Sequence, residues 1–188
     1  PTNTRPSWGP NDDEIYYFRD PDGGFLKGDL LAIPSDGSGR PREVLTNTGI
    51  GSGSWGVGHE WMIFRVGVPA RESRDIYGLE SGDSEPRELV ATAATEQAPS
   101  LSPDGRWLLY QSDRSGEHNV FVRPFPNVED GLVQISLTGG TEPRWARSGS
   151  EIFYRDATGQ MVAAQIDAGA ALRVTARQAL LDATPYWS

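Results

Sequence analysis

A chain of 188 residues with a formal net charge of −9 suits one domain, or one piece of a larger one, and lacks the basic surface that nucleic acid or an anionic membrane requires. It has no cysteine, which excludes disulfides, thiolate metal sites and cysteine nucleophiles. No apolar run reaches the ~18–20 residues of a membrane span, and no segment reads as a signal peptide. With 37% hydrophobic and 10% aromatic residues, rings must supply much of the core, and 22 glycines and 14 prolines announce many turns.

Taken in chain order, short strand-like runs follow one another with little room for helix. A strand ending at Trp8 leads through "PNDDE" (10–14) to "EIYYF" (14–18), then "DLLAIP" (29–34) and "REVLT" (42–46). The sequence then repeats itself. A strand at Trp55 is followed by the turn "VGHE" (57–60), "WMIFRV" (61–66), "DIYGLE" (75–80) and "RELVA" (87–91). The strand at Leu101 is followed by "SPDGR" (102–106), "WLLYQS" (107–112), "NVFVRPF" (119–125) and "LVQIS" (132–136). The strand at Trp145 is followed by "RSGSE" (147–151), "EIFYRD" (151–156), "QMVAAQI" (160–166) and a short outer strand, "QALLD" (178–182).

Trp8, Trp55, Leu101, Trp145 and Trp187 mark the repeat at spacings of 47, 46, 44 and 42 residues. Two positions before each stand Pro6, Gly53, Pro99, Pro143 and Pro185, and nine positions after the first four stand Tyr17, Phe64, Tyr110 and Tyr154. Four-stranded units of ~40–50 residues are the period of β-propeller blades. The expected fold is therefore all-β: a propeller of antiparallel four-stranded blades, with about four blades in this chain. Blades are expected at about 5–50, 51–96, 97–140 and 141–183, with 184–188 opening a further one. Trp8, Trp55, Trp145 and Trp187 are expected to be buried between blades, and Trp61 and Trp107 to be packing residues. Five inner-strand signals against four blades predict a partial ring, or a ring completed by further copies.

The "SPDG" phrase explains itself by turn chemistry. Pro103 pre-sets φ, Asp104 bonds nearby backbone N–H groups, and Gly105 accepts positive φ. Asp104 is expected to be a turn residue rather than a catalytic or metal-binding one.

The stretch "APSLSPDGRWLLYQSDRSGEHNVFVRPF" (98–125) resembles the PD40, or TolB-like, class of WD40-like propeller repeat, and "TEPRWARSGSEIFYRD" (141–156) resembles the next repeat of that class. Residues 98–156 are most similar to the propellers appended to bacterial eukaryotic-like serine/threonine kinases; residues 1–97 follow the pattern loosely. The resemblance implies a non-catalytic binding or scaffolding module for a protein or peptide partner, such as the sensor segment of a receptor-like kinase. It also allows the substrate-gating propeller of a prolyl-oligopeptidase-like peptidase. A bacterial extracytoplasmic location is implied by the resemblance alone.

Chemistry-bearing motifs are sparse. The chain holds no kinase loop motifs, no G-x-S-x-G elbow, no Walker A and no dinucleotide fingerprint. No catalytic residue, cofactor or metal is expected. His59 and His118 lie in turn-like segments without metal-ligand spacing. "EHN" (117–119) is expected to make a polar contact between blades. Asp20, Asp22 and Asp29 stand among glycines but lack the EF-hand order, so a hairpin loop is expected. Arg5, Arg144 and Arg147, beside the inner-strand markers, and His118 remain as candidate channel or ligand contacts; for the arginines, pairing with neighbouring carboxylates is the favoured alternative.

Overall fold

The computed structural model describes residues 2–9, 11–20, 28–46, 50–55, 60–68, 70 and 73–183, with the side chains of 2–5, 20 and 50–55 outside the description. The chain forms two units, Pro1–Ala93 and Ala94–Ser188. Each contains two antiparallel four-stranded sheets whose strands are neighbours in chain order.

In the first unit, β1 (Thr2–Trp8), β2 (Glu14–Asp20), β3 (Asp29–Pro34) and β4 (Arg42–Leu45) make blade 1, and β5 (Ile50–Trp55), β6 (Trp61–Val68), β7 (Ser73–Glu80) and β8 (Arg87–Val90) make blade 2. In the second unit, β9 (Glu96–Leu101), β10 (Trp107–Ser112), β11 (Asn119–Pro124) and β12 (Val133–Gln134) make blade 3, and β13 (Thr141–Trp145), β14 (Glu151–Arg155), β15 (Gln160–Ala168) and β16 (Leu172–Asp182) make blade 4. A short 3-10 turn, Val128–Asp130, which the sequence pattern did not announce, precedes β12.

The sequence repeat is a register repeat. Trp8 pairs with Ile15, Trp55 with Met62, Leu101 with Leu108 and Trp145 with Ile152, always seven positions on. Each of these inner strands also carries a register shift a few residues before its marker. In β9 and β13 the residue three before the marker is left-handed (Ala98, φ 49°; Glu142, φ 56°) and a proline follows it. Proline cannot donate to a ladder and tolerates a bulge. A proline two positions before the marker therefore accompanies a bulged inner strand.

The inner hairpins of blades 1, 3 and 4 close alike. Gly9 N–H donates to Glu14 O, Ser102 N–H to Trp107 O and Ala146 N–H to Glu151 O, each at 2.9 Å. Inside each loop one residue takes positive φ: Asp12 at 59°, Gly105 at 70° and Gly149 at 73°. Glycine meets that need without strain in the second unit, and an aspartate, which tolerates it, does so in blade 1.

Within the first unit Tyr16, Phe18, Leu30, Ala32 and Leu45 of blade 1 pack with Met62, Phe64 and Leu79 of blade 2. Within the second, Trp107, Leu109, Val120, Val122 and Ile135 pack against Ile152, Tyr154, Val162 and Ala164. Alternation along each strand supplies these faces. Burying one such side chain removes enough apolar surface to contribute roughly 1.5–3 kcal/mol before entropy is counted.

Two expectations need correction, the burial of the marker tryptophans and the bounds of the last outer strand. Trp8 is 54% exposed rather than buried. Its neighbours Ile15 and Ile33 are themselves half-buried, so no closed apolar wall receives the ring. Trp145 is half-buried, packed on the core of its unit where Ile152 is fully buried; the side chain of Trp55 and all of Trp187 lie outside the described residues. Tyr17 is also half-buried, because the flanking Tyr16 and Phe18 face the core of blade 1 in its place. The last outer strand is longer than 178–182. It opposes the nine residues of β15 with eleven, the surplus entering at two register shifts near Thr175 and Leu180.

Candidate binding site

The second unit concentrates its polar chemistry at the first hairpin of blade 3. Asp104 Oδ1 accepts from Ser102 Oγ at 2.6 Å and from Arg106 N–H at 3.1 Å, and Oδ2 accepts from Arg106 Nε at 2.7 Å. Ser102 Oγ in turn accepts from Trp107 N–H at 3.0 Å. Burial works against the charged carboxylate, but the bonds from Ser102 and Arg106 outweigh it and hold the Asp104 pKa below its ordinary value. Asp104 thus acts as the turn residue its sequence context predicts.

Arg106 carries the hairpin across to blade 4. Its guanidinium donates to Ala168 O at 2.9 Å and to Gly169 O at 3.4 Å. Beside this strut lies a cleft of about 380 Å³, lined by Ser102, Pro103, Asp104, Arg106 and Trp107 on one side and by Ser148–Ser150, Ile166 and Ala168 on the other. Ser148 and Ser150 hydroxyls bond each other at 2.8 Å. Trp107 is only 7% exposed, and its indole Nε1 is buried with no hydrogen-bond partner. A volume of that size is at the lower end of small-ligand pockets.

The other candidates fall differently. Arg144 is exposed on the inner strand β13, and its one hydrogen bond among the described residues runs to the adjacent Pro143 O at 3.1 Å. Arg147 is exposed in the first hairpin of blade 4, one residue from the cleft lining. Neither forms an ion pair among the described residues, where the carboxylate pairing favoured from the sequence is not seen. The side chain of Arg5 lies outside the described residues, as do His59 and residues 21–27 of the aspartate-rich loop. Asp29, at that loop's end, pairs with Arg19 at 2.8 Å.

His118 is half-buried; its Nδ1 is buried without a partner, and its carbonyl accepts from Gly140 N–H at 2.7 Å. The "EHN" contact is internal to blade 3 rather than between blades. Asn119 Oδ1 accepts from Ser136 Oγ at 2.8 Å and from Gln134 Nε2 at 3.2 Å, because the short β12 brings those side chains beside β11. Among the described residues no group of three or more His, Cys, Asp or Glu side chains is placed to hold a metal ion.

Sequence reasoning named Arg147 but not the cleft beside it. The "SPDGR" phrase was legible as a turn; that Arg106 reaches residues more than sixty positions away was not. Such a contact depends on the register of blade 4.

The fold these blades define is that of a β-propeller of the TolB-like, WD40-like type. No protein-family model and no curated protein matches the sequence. Among solved structures, the chain is similar to TolB from Acinetobacter baumannii, with a TM-score of 0.68 at 15% identity, covering 95% of this chain and 44% of that one. It is similar as well to a protein assigned as TolB from Agrobacterium tumefaciens, with a TM-score of 0.69 at 18% identity, covering 91% of this chain and 64% of that one. A structure from a study of two prolyl endopeptidases gives a TM-score of 0.64 at 13% identity, covering 94% of this chain and 29% of that one. The chain therefore spans less than two thirds of the length of each of these.

Proposed function

We propose that this chain is a non-catalytic propeller module that binds a protein or peptide partner, with no cofactor. The observation that carries the reading is how the repeat spends its residues. The sheet register is the same in all four blades and the buried faces are committed to packing, while the first turns differ from blade to blade in sequence: "PNDDE" (10–14), "VGHE" (57–60), "SPDGR" (102–106) and "RSGSE" (147–151). A rigid framework presenting variable turns is a scaffold for recognition.

The finer assignment, the sensor segment of a bacterial receptor-like kinase, is supported by the likeness of residues 98–156 to kinase-appended propellers. A peptidase-gating role has one observation in its favour, the similarity to a prolyl endopeptidase structure. Reading the gene on both sides of this sequence separates them: a kinase domain with a membrane helix upstream favours the sensor, a hydrolase domain downstream the gate. Whether copies assemble into a common ring is decided by the mass in solution; a monomer at micromolar concentration rules it out. The module reading is tested by immobilising the recombinant chain and titrating the proteins it retains. Saturable binding is expected, whereas substrate turnover by the chain without any binding partner overturns the reading.

A further inference from the structure

Blade 1 and blade 4 each leave one sheet face open among the described residues. In blade 1, Tyr16, Phe18, Leu30 and Ala32 face blade 2, so Ile15, Tyr17 and Ile33, which alternate with them, face the other way. Trp8 pairs with Ile15 and Ile15 with Ile33, which makes one apolar row across three strands. The row is open: Trp8 is 54% exposed, and Ile15, Tyr17 and Ile33 are half-buried. In blade 4, Ile152, Tyr154, Val162 and Ala164 face blade 3. The opposite face carries Phe153 and Met161, both half-buried, and Leu181, 52% exposed, pairs with Met161.

The chain shows twice what covers such faces. By register, the row Trp8–Ile15–Ile33 of blade 1 is Trp55–Met62–Leu79 in blade 2 and Trp145–Ile152–Ala164 in blade 4. Met62 and Ile152 are fully buried, each packed with the blade before it: Tyr16 and Phe18 in the first unit, Trp107 and Leu109 in the second. Phe153 stands eight positions after its marker, as Tyr16 and Leu109 do after theirs. Blade 4 thus presents the covering side of an interface whose receiving side is blade 1. Its carboxylates already have partners: Glu151 accepts from Gln165 Nε2, and Glu142 pairs with Arg155 at 3.5 Å. Covering the face leaves neither of them buried and unpaired, which is the main cost of burying charge.

We propose that the two faces take each other between copies of this chain: blade 4 of one copy packs on blade 1 of the next, with Phe153 and Met161 lying against Trp8 and Ile15. A second copy supplies the complementary face in the register the chain already uses twice. The two surfaces differ, so the contact is heterologous and copies add head to tail. The interface leaves the first turns free, so it stands or falls separately from the partner-binding reading.

The test is the mass of the whole chain at micromolar concentration by sedimentation. The wild type is expected to run at twice the monomer mass or more. Trp8→Asp spoils the blade 1 face and Phe153→Asp the blade 4 face; each alone is expected to be monomeric, because no complementary pair of faces remains. Mixed in equal amounts, the two variants are expected to form a one-to-one pair and nothing larger, since each supplies the face the other lacks. Leu181→Asp, at a position already exposed, replaces Phe153→Asp if circular dichroism shows that the latter has lost its sheet. Leu137→Asp, 69% exposed in the connection between β12 and β13, should leave assembly unchanged. A monomeric wild type overturns the proposal. Assembly that survives either face variant overturns it as well, and so does a mixture of folded variants that stays monomeric.

Discussion

Trp61 of blade 2 and Trp107 of blade 3 stand at the same point of the repeat, six positions after Trp55 and Leu101, yet the molecule uses them differently. Both are buried, at 9% and 7% exposure. The Trp61 ring lies over Gly78, where an added Cβ would sit 3.1 Å from the ring, and the Arg87 guanidinium covers the ring at 4.3 Å from a centroid. In blade 3 the position matching Gly78 is Val122, opposite Leu109 as Gly78 is opposite Ile63. A branched side chain there denies Trp107 the same seat. Its ring instead joins the core shared with blade 4 and lines the cleft. One residue on a neighbouring strand thus separates a tryptophan seated over a glycine from one packed into a core beside a branched side chain.

Replacing either ring with alanine breaks the comparison most severely. Trp61→Ala and Trp107→Ala should each destabilise the protein by roughly 3–5 kcal/mol, measured by denaturant titration. Introducing a side chain at the special position sharpens it: Gly78→Val should cost about 1–3 kcal/mol, because Leu89 and Trp61 stand within 2.9–3.1 Å of the new Cβ. Equal stability would show that the seat over Gly78 is not tight.

At the blade 3 hairpin, Asp104→Asn should cost about 1 kcal/mol near neutral pH, discounted because the Asp104 side chain is 44% exposed. The folded pKa of Asp104 is depressed, so its contribution is fully present above the unfolded value of about 3.9 and is lost as pH falls through the lower folded value. The stability gap between wild type and Asp104→Asn should therefore close below about pH 4, as followed by thermal unfolding across pH. The smallest expected effect is Arg87→Ala, about 0.5–1 kcal/mol from the lost cation–π contact, with no counterpart change in blade 3.

The repeat was legible because the residues that set it are strong local signals. Prolines at bulges, glycines in left-handed turns and large rings at fixed offsets each constrain the backbone by themselves. The burial of those rings was less legible. Trp8 and Trp145 share a register but not an environment, since exposure depends on whether the cross-strand neighbours complete a wall. The cleft was least legible: Pro103, Trp107, Ser148 and Ile166 converge through sheet register and blade packing, and no local motif links them.

The central claim is that each blade marker pairs with the residue seven positions later across a bulged inner strand. Cross-strand nuclear Overhauser contacts in the isotope-labelled chain test it most directly. The account predicts contacts between Trp8 and Ile15, Trp55 and Met62, Leu101 and Leu108, and Trp145 and Ile152. A partner displaced by one residue in any blade would turn that strand's faces over and contradict it.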